Sequence, residues 1–418
     1  MGAKYVVKNK EKVAIIGQGY VGLPLAVACA EVGLVVTGID IDARRIGELN
    51  KGLSHIEDVP SSKILEMVSS GNYRGTVDFS EVSSCDVVII AVPTPLDDKR
   101  EPDLVALRGA VLSVAPHLKP GTLLISESTS YPGTARELVL PIVQEILGAG
   151  ADEIDVASAP ERVDPGNAHY HHRNTPRIVA GLTPAATKRA AEFYRTFTET
   201  VIEVSSPEVA EAAKLLENTF RQVNIALVNE IAIISHKLGI EVREVIEAAA
   251  TKPYGFMKFL PGAGVGGHCI PVDPSYLSWR AKSVGAKARF IDLANEVNLE
   301  MPTYVAHRLI KRMKANGRNG GPIVILGVAY KGGVADVRET PAEGVAEAFE
   351  AAGYEVRWSD PLVTSWRGSS SVAPSADVAG AIVVTAQPGL EVAPYISLGI
   401  PVLDCTGAFR GISGVEQL

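Results

Sequence analysis

The sequence predicts an α/β protein in which two α/β regions flank a helical one. Short apolar runs alternate with helical patterns along the first part of the chain and again after residue 322. Between these parts, apolar residues recur at helical spacing along a single stretch of about thirty residues. Alternating strands and helices are typical of a parallel, doubly wound sheet, because parallel strands need crossover connections.

The first region opens with the apolar run VAIIG, which predicts a buried strand. A helix is predicted from Gly22 to Glu31, and a second strand in LVVTGID. Further strands are predicted in DVVIIAVP (86–93), TLLISES (122–128) and IDVASAP (154–160), with helical patterns between them. We assign residues 1–205 to this domain.

The middle region is dominated by one long helix. A Ser-Ser-Pro signal precedes its apolar pattern, with Pro207 as the first helical residue, and the pattern stops at Gly239. A helix of this length usually joins domains or packs against a partner. Several shorter helices are predicted to follow, with a glycine-rich loop between them, and we assign residues 206–305 to this helical domain.

Strands return after the glycine-rich turn at 316–322 and predict a second α/β domain over residues 306–418. The predicted strands are IVILGVAY (323–330), EVRWSD (355–360), AIVVTA (381–386) and PVLDC (401–405). No low-complexity segment and no close internal repeat interrupts this order.

Composition excludes several classes of protein. The formal charge of −8 gives no basic footprint for nucleic acid, and no run of 18 apolar residues predicts a membrane span. The first residues lack the features of a signal peptide, so we expect a cytoplasmic protein. The four cysteines form no CxxC pair and are expected to be reduced thiols rather than a disulfide framework or a zinc site. They are Cys29, Cys85, Cys269 and Cys405.

A glycine-rich turn follows the first predicted strand and opens the first predicted helix. Gly17, Gly19 and Gly22 form GxGxxG, whose glycines allow a tight turn, close approach of a pyrophosphate and close helix packing. Asp40 ends the second strand, where a carboxylate accepts hydrogen bonds from a ribose and disfavours a 2′-phosphate. We therefore predict a Rossmann-type domain that binds NAD, although Arg45 nearby weakens the case against NADP. A plain turn with an exposed aspartate is the alternative.

The loop PGAGVGGHCIPVDP (261–274) frames Cys269 with glycines and prolines. A reactive thiolate must be partly exposed and electrostatically assisted, and Asp273 could hold a water or accept a proton. The residues alone leave a buried structural cysteine equally open. His268 is expected to bind no metal because no other ligand spacing accompanies it, and HYHHR (169–173) is predicted to be a polar loop.

Other polar residues occupy positions where a site is expected. Lys214 and Asn218 share one helix face at i, i+4 spacing, although the residues alone favour a solvated lysine. Thr94, Thr129 and Glu161 follow predicted strands, at the sheet edge where ligands bind in open α/β folds. Each of them alone is more often a turn or cap residue.

Seven motifs follow one another along roughly residues 12 to 410. They are GQGYVGLPLA, AVPTPL, ESTSYPGT, APERVDPGN, KLLENTFRQVNIALVNE, GVGGHCIPVDP and GVAYKGGVADVRETP. In this order they resemble the UDP-sugar 6-dehydrogenases of the UDP-glucose/GDP-mannose dehydrogenase family. The resemblance implies that a primary alcohol is oxidised to a carboxylate with two NAD in succession. It also implies that Cys269 captures the C6 aldehyde as a thiohemiacetal and then carries a thioester.

The same resemblance implies roles for individual residues. Lys214, with Asn218, would stabilise the developing oxyanion, Glu161 would do acid–base work, and Asp273 with Thr129 would hold the catalytic water. The implied cofactor contacts are Gly17, Gly19, Tyr20, Val21, Gly22, Asp40, Arg45, Pro93, Thr94, Thr129 and Arg338. The implied substrate contacts are Glu161, Arg162, Lys214, Asn218, Phe259, Gly264, Gly266, Gly267, Tyr330 and Lys331. The C-terminal α/β domain would hold the nucleotide sugar, and the long helix would pair two subunits as a homodimer.

Two departures from the UDP-glucose enzymes favour the branch that oxidises UDP-N-acetylglucosamine. Pro165 stands where those enzymes commonly carry a second glutamate, and Val272 where they commonly carry lysine. UDP-N-acetylmannosamine, UDP-glucose and dTDP-glucose remain alternative substrates. A two-electron hydroxyacid-type dehydrogenase and a non-catalytic nucleotide-sugar sensor are the alternatives from other classes.

Overall fold

The computed structural model describes residues 11–56, 58–163, 167, 169–267 and 270–418. Two compact units are distinguished within the chain. The first comprises the residues up to Glu217 together with Trp279–Val284, and the second comprises Asn218–Ser278 together with Gly285–Leu418. The domain boundaries expected at residues 205 and 305 stay predictions.

The first unit is built on an eight-stranded sheet. Its strands are β1 (Lys12–Ile16), β2 (Val35–Ile39), β3 (Tyr73–Thr76), β4 (Val87–Ile90), β5 (Leu123–Ser126), β6 (Asp155–Ser158), β7 (Arg177–Gly181) and β8 (Val201–Glu203). Their order is β3-β2-β1-β4-β5-β6-β7-β8. Every neighbouring pair is parallel except β6 with β7. The first six strands therefore have the order of a doubly wound dinucleotide-binding sheet, which confirms the predicted fold class.

Both faces of the centre of this sheet are buried, which is why the central strands β1, β4 and β5 consist largely of apolar residues. In β1, Val13 and Ile15 belong to one apolar cluster, while Ala14 and Ile16 belong to the cluster on the other face. Residues of other strands and of the α-helices join these clusters. The α-helices cover the two faces of the sheet. They are α1 (Gly22–Glu31), α2 (Ala43–Asn50), α3 (Ser61–Ser69), α4 (Val105–Val114), α5 (Leu140–Leu147) and α6 (Pro184–Tyr194).

The long helix is α7 (Pro207–Leu238), which confirms the helix predicted between Pro207 and Gly239. The boundary between the two compact units falls within it, after Glu217. Three more helices follow, namely α8 (Val242–Ala250), α9 (Asp273–Ser283) and α10 (Arg289–Ala315). The last of these has 27 residues, fewer than the 32 of α7, and continues through Pro302.

The second unit contains a five-stranded parallel sheet. Its strands are β9 (Ile323–Leu326), β10 (Val356–Ser359), β11 (Gly380–Val383), β12 (Val402–Asp404) and β13 (Val415–Gln417), and α11 (Pro341–Ala351) and α12 (Ala393–Ser397) connect them. The strand order is β10-β9-β11-β12-β13. Alternate residues of β9 again enter two different apolar clusters, so this sheet is also covered on both faces.

Four strands had not been predicted, namely β3, β7, β8 and β13. The strands β8 and β13 have three residues each, and such short segments are defined by the neighbours with which they pair rather than by a pattern of their own. Among the described helices, none combines the length and the apolar character that crossing a membrane requires.

Candidate active site

The first glycine turn is packed tightly at its two ends and open in the middle. Gly17 has φ of +92°, and a Cβ there would lie 2.4 Å from the carbonyl oxygen of Ala91. A Cβ on Gly22 would lie 1.8 Å from the carbonyl oxygen of Gly17, whereas one on Gly19 would have no atom within 4 Å. The outer glycines are therefore required by the protein's own backbone. The open space at Gly19 fits the approach of a dinucleotide pyrophosphate.

Asp40 lies at the end of β2 and is buried, so the alternative of an exposed aspartate at a plain turn is wrong. Its carboxylate accepts hydrogen bonds from the backbone N–H of Gln18 at 2.8 Å and of Asp42 at 3.0 Å. It also accepts one from Nη1 of Arg45 at 2.8 Å. Because a carboxylate offers about four acceptor positions, these three bonds leave capacity for a ribose hydroxyl. The residues of this turn therefore fit NAD, and Arg45 is engaged by the aspartate beside it.

His55 is a residue near this turn that the sequence analysis missed. Burial lowers the pKa of its imidazole, and the charge of Arg45 lowers it further, while Asp40 opposes both effects. The imidazole therefore lies within electrostatic reach of the predicted ribose contact. No motif pointed to His55, because it follows α2 in the sequence and comes near Asp40, at the end of β2, only in the folded chain.

The predicted cofactor residues at the ends of β4 and β5 are tied together by hydrogen bonds. The Oγ1 of Thr94 donates to the carbonyl oxygen of Thr129 at 2.7 Å. Ser128 Oγ accepts from the N–H of Val92 at 2.9 Å and donates to the carbonyl oxygen of the same residue at 2.8 Å. Thr94, Thr129 and the exposed Pro93 thus lie at one edge of the sheet. Tyr20 and Val21 lie within the glycine turn, between Gly19 and Gly22.

Beneath this edge lies a buried ion pair that the sequence analysis did not identify. Glu127 and Arg177 are 0% and 3% exposed, and their side chains are 3.0 Å apart. The Tyr194 hydroxyl donates to the same carboxylate. Burial raises the pKa of Glu127, and the charge of Arg177 opposes that shift. The carbonyl oxygen of Glu127 accepts the N–H of Glu161 at 3.3 Å, so the buried pair supports the backbone of the predicted acid–base residue.

Glu161 itself is 9% exposed, and one of its carboxylate oxygens accepts the N–H of Val163. Arg162 points to a different partner. Its Nε and Nη2 bind the carboxylate of Glu217 at 3.1 and 2.6 Å, and its Nη1 donates to the carbonyl oxygen of Pro176 at 2.7 Å. This predicted substrate residue thus fastens the segment after β6 to helix α7.

Lys214 is buried at 8% exposure, so the solvated lysine favoured by the residues alone is wrong. Asn218 lies one turn further along α7, is also buried, and donates from Nδ2 to the carboxylate of Asp273. Asp273 is buried at the first turn of α9. Helix α7 therefore presents a buried ammonium and a buried amide on one face.

The glycines that precede Cys269 are needed for packing against the protein. A Cβ on Gly266 would lie 2.7 Å from Pro341, and one on Gly267 would lie 3.2 Å from the ring of Tyr330. Gly264 has φ of +139° and faces Pro341 and Pro302. The loop therefore approaches the segment before α11, and this contact accounts for the missing side chains. Cys269, His268 and Pro165 lie outside the described residues.

The remaining predicted residues of the second unit lie beside this loop or on its flanks. Lys331 Nζ is 5.6 Å from the centre of the Tyr330 ring, and Phe259 packs edge-on against Phe220 at 5.8 Å between ring centres. Arg338 makes a two-pronged contact with the Asp336 carboxylate through Nε and Nη2. Its predicted contact with the cofactor stays a prediction.

A second turn in the other unit repeats the geometry of the first. Gly327 follows β9 with φ of +76°, and its N–H donates to the carbonyl oxygen of Ser359 at 2.9 Å. Gly17 likewise donates to Ile39 at 2.7 Å. The N–H of Val328 donates to the carboxylate of Asp360 at 2.9 Å, as Gln18 does to Asp40 in the first unit.

The two aspartates nevertheless differ in how many hydrogen-bond acceptor positions they leave free. The Asp360 carboxylate accepts four hydrogen bonds, from the backbone of Val328, Leu362 and Val363 and from the side chain of Gln387. All of its acceptor positions are therefore used, which makes Asp360 a structural residue, whereas Asp40 keeps room for a ligand. Among the described residues, no three His, Cys, Asp or Glu side chains are grouped as metal ligands would be.

Comparison with known proteins assigns the chain to a family. Residues 11–198 match the NAD binding domain of the UDP-glucose/GDP-mannose dehydrogenase family, 208–300 match its central domain and 324–387 match its UDP binding domain. The chain belongs to this family. It is accordingly an NAD-dependent nucleotide-sugar dehydrogenase, and the resemblance drawn from the sequence motifs is confirmed.

Similar proteins cover nearly the whole dehydrogenase. The UDP-N-acetyl-D-glucosamine 6-dehydrogenase of Pseudomonas aeruginosa is 37% identical over 85% of this chain and 83% of its own. The UDP-N-acetyl-D-mannosamine dehydrogenase of Pyrococcus horikoshii is 37% identical over 93% of this chain and 92% of its own. A UDP-glucose dehydrogenase structure from Pyrobaculum islandicum superposes with a TM-score of 0.88, at 26% identity and 99% coverage of both chains.

Gly22, at one end of the first turn, and Gly19, in its middle, provide a matched test of packing against cofactor binding in the dehydrogenase. Gly22→Ala places a methyl group on the Gly17 carbonyl, so we expect destabilisation of about 1–3 kcal/mol, as overpacking typically costs. Gly19→Ala meets no protein atom, so we expect a wild-type unfolding midpoint but a KM for NAD raised at least about tenfold, equivalent to about 1.4 kcal/mol. Thermal unfolding and initial-rate kinetics measure the two effects. Equal midpoints for both variants would contradict the packing argument.

Proposed function

We propose that this dehydrogenase oxidises UDP-N-acetylglucosamine at C6 to the uronic acid, with NAD as acceptor and Cys269 as a covalent nucleophile. The observation that carries the proposal is the buried face of α7. Lys214 and Asn218 lie one turn apart there, and Asn218 donates to Asp273, four residues after Cys269 in the sequence. A buried ammonium and a fixed amide are the groups that stabilise a developing oxyanion.

The first oxidation converts the C6 alcohol to the aldehyde. The hydroxyl proton leaves to a base, and bound NAD would supply the acceptor for the hydride that leaves C6. The turn at Gly17, Gly19 and Gly22 is the part of the chain suited to hold the pyrophosphate, with Asp40 at the ribose. In this step Lys214 and Asn218 stabilise negative charge on the C6 oxygen.

The second oxidation runs through Cys269. Its thiolate adds to C6 of the aldehyde to form a carbon–sulfur bond, which gives a thiohemiacetal and prevents the aldehyde from escaping. Loss of a second hydride from C6, for which a second bound NAD would be the acceptor, leaves a thioester. A water positioned by Asp273 and Thr129 then attacks the thioester carbonyl while Glu161 moves the proton. The carbon–sulfur bond breaks and the thiolate is regenerated.

The balance of the whole reaction is simple. One alcohol, two NAD and one water give one carboxylate, two NADH and three protons. The oxidant is NAD in both steps, so the chain needs no further redox group. The buried pair of Glu127 and Arg177 supports this scheme, because it fixes the backbone of Glu161 at the sheet edge that holds Thr129.

The choice of substrate rests on the sequence and on the range of relatives. Pro165 and Val272 depart from the UDP-glucose pattern, which favours an N-acetylhexosamine. The similar proteins are named for UDP-N-acetylglucosamine, UDP-N-acetylmannosamine and UDP-glucose. We propose the first, with the other two and dTDP-glucose as alternatives.

A substrate comparison tests this choice. We expect two NADH for each UDP-N-acetylglucosamine consumed and a kcat/KM for it at least about tenfold above those for UDP-N-acetylmannosamine, UDP-glucose and dTDP-glucose. The measurement is NADH absorbance with limiting sugar and excess NAD. Preference for a glucose nucleotide would keep the mechanism and overturn the substrate. One NADH per sugar would favour a two-electron dehydrogenase, and binding without NADH formation would favour a sensor.

Replacement of the cysteine tests the covalent step. We expect Cys269→Ser to stop before the acid, with at most one NADH per sugar, because a serine hydroxyl is a far weaker nucleophile than a thiolate. Intact-protein mass spectrometry with sugar and NAD measures any adduct, and product analysis measures the acid. The matched control is Cys85→Ser, since Cys85 is buried in the first unit and its substitution should leave two NADH per sugar. Rapid full conversion by Cys269→Ser would contradict the proposal.

We also propose that the dehydrogenase is a homodimer paired through α7, working in the cytoplasm. One side of α7 exposes a line of apolar side chains at spacings of four and seven residues. They are Leu216, Phe220, Leu227, Ile234 and Leu238. A second copy of the same helix would cover this line.

The proposed location in the cytoplasm rests on the cysteines. The described cysteines Cys29, Cys85 and Cys405 are free and buried, which supports a reducing compartment.

A charge in the middle of this apolar line tests the dimer. We expect wild-type protein to have twice the mass of one chain in solution, and Leu227→Glu to shift it to the single-chain mass, because a carboxylate would be buried unpaired at the interface. Light scattering after gel filtration measures the mass. Leu65→Glu is the matched control, since Leu65 on α3 is 53% exposed and Leu227 is 52% exposed. A dimer that survives Leu227→Glu would contradict pairing through α7.

A further inference from the structure

Glu211 is a buried carboxylate to which neither the sequence motifs nor the mechanism above gives a role. It lies in the second turn of α7 and is 4% exposed. Its Oε2 accepts the N–H of Gly133 at 2.7 Å, and its Oε1 accepts the N–H of Ala135 at 3.1 Å. Both donors belong to the segment that leads from β5 into the helical turns before α5. A buried carboxylate with two backbone partners holds that segment against α7.

The segment that Glu211 holds is also hydrogen-bonded at several points between Thr134 and Thr129. The Thr134 hydroxyl is bonded to the carbonyl oxygen of Tyr131 at 2.6 Å and to Ser130 Oγ at 2.8 Å. At the other end, the carbonyl oxygen of Thr129 accepts from Thr94 at 2.7 Å. A shift of the backbone at Gly133 would therefore be carried to Thr129.

Lys214 lies one turn further along α7 from Glu211. Residues three apart share a helix face, and both side chains are buried. The same helix turns thus carry the tie to the Thr129 segment and the ammonium assigned to the oxyanion. We propose that Glu211 is a positioning residue, which fixes Lys214 relative to Thr129 by holding α7 against Gly133 and Ala135. This inference rests on the function proposed above, because it takes the role of Lys214 from it.

A second acid on α7 makes an outer tie to the same segment. Glu208 accepts from Nε of Arg136 at 2.6 Å, and the two side chains are 30% and 51% exposed. Exposed ion pairs contribute little, because water screens them and long side chains lose freedom. Glu208 is therefore a matched control for Glu211, with the same helix, the same charge and a neighbouring partner.

The protonation of Glu211 gives the proposal a pH signature. Burial raises the pKa of its carboxyl to about 7, although the N–H bonds from Gly133 and Ala135 oppose that shift. Below that pKa the carboxyl is protonated and is a poorer acceptor for two donors, so the tie weakens as pH falls. The charged and titratable groups around it are Glu208 and Lys214 on α7, Tyr131, Arg136 and Glu137 on the held segment, and Arg280 on α9.

Glu211→Gln and Glu208→Gln, made in the full chain, test the proposal with UDP-N-acetylglucosamine and NAD. In profiles recorded from about pH 5.5 to about 8.5, we expect Glu211→Gln to lower kcat about 10- to 100-fold at the upper end, as a displaced catalytic group does, with a KM for NAD within about threefold of wild type. The difference in kcat should shrink toward the lower end, where wild-type Glu211 is itself protonated. In wild-type protein we expect kcat to fall as the pH is lowered through about 7, and this fall should be absent in Glu211→Gln. Glu208→Gln should keep kcat within about twofold and keep the wild-type pH profile.

Amide hydrogen exchange over residues 128–139 gives a readout that does not depend on turnover. We expect faster exchange in Glu211→Gln and wild-type exchange in Glu208→Gln. A Glu211→Gln variant with kcat equal to that of Glu208→Gln, or with the wild-type pH profile, would overturn the positioning role. If Glu211→Gln does not fold, Glu211→Asp serves the same test, since its carboxylate is one methylene short of both donors and should also lower kcat.

The two proposals fail in different ways. No NADH from wild-type protein with any nucleotide sugar would sink the proposed function, and hydrogen exchange would then still show whether Glu211 holds the segment. Active wild-type protein with unchanged exchange in Glu211→Gln would overturn the positioning role alone.

Discussion

The first unit depends on one close approach of backbone to backbone. At Gly17 the chain turns so near to Ala91 that a Cβ would lie 2.4 Å from a carbonyl oxygen, and at Gly22 the helix passes as close to the turn itself. Protein interiors are close-packed, so such contacts admit no side chain. This approach brings α1 down onto the sheet and leaves the space at Gly19 open. The position of Asp40 follows, because its carboxylate holds the N–H of Gln18 next to the turn.

Buried polar groups fix local geometry within each of the two units. Burying a charge is costly unless it is paired and hydrogen-bonded, so a buried charged group requires partners at defined positions. Glu127 with Arg177 supports Glu161, Glu211 supports the segment after Thr129, and Asn218 engages Asp273. Each of these contacts adds directional hydrogen bonds to the apolar packing at a strand end or a helix face. Glu161 and the segment after Thr129 are thus each held by a buried carboxylate to which the proposed reaction gives no role.

The two glycine turns show how one local geometry serves two purposes. In the first unit the carboxylate after the second strand keeps an acceptor position, while in the second unit Asp360 has used all four. The extra partners of Asp360 come from the loop after β10 and from Gln387. A similar contrast holds for the loop before Cys269. The resemblance implies that Gly264, Gly266 and Gly267 contact the substrate, and the structure shows that Gly266 and Gly267 also pack against Pro341 and Tyr330.

The sequence by itself determined the fold class, the long helix, the NAD turn and the family. These features are written in local patterns, such as the apolar period of β1 and α7 or the spacing of Gly17, Gly19 and Gly22. Only the tertiary structure decided the burial of Lys214, the ties made by Glu127 and Glu211, the place of His55 and the short strands β8 and β13. Each of these depends on a partner distant in the chain. No periodicity or motif records such a partner, because the free energy of the contact is set by packing and burial rather than by neighbouring residues.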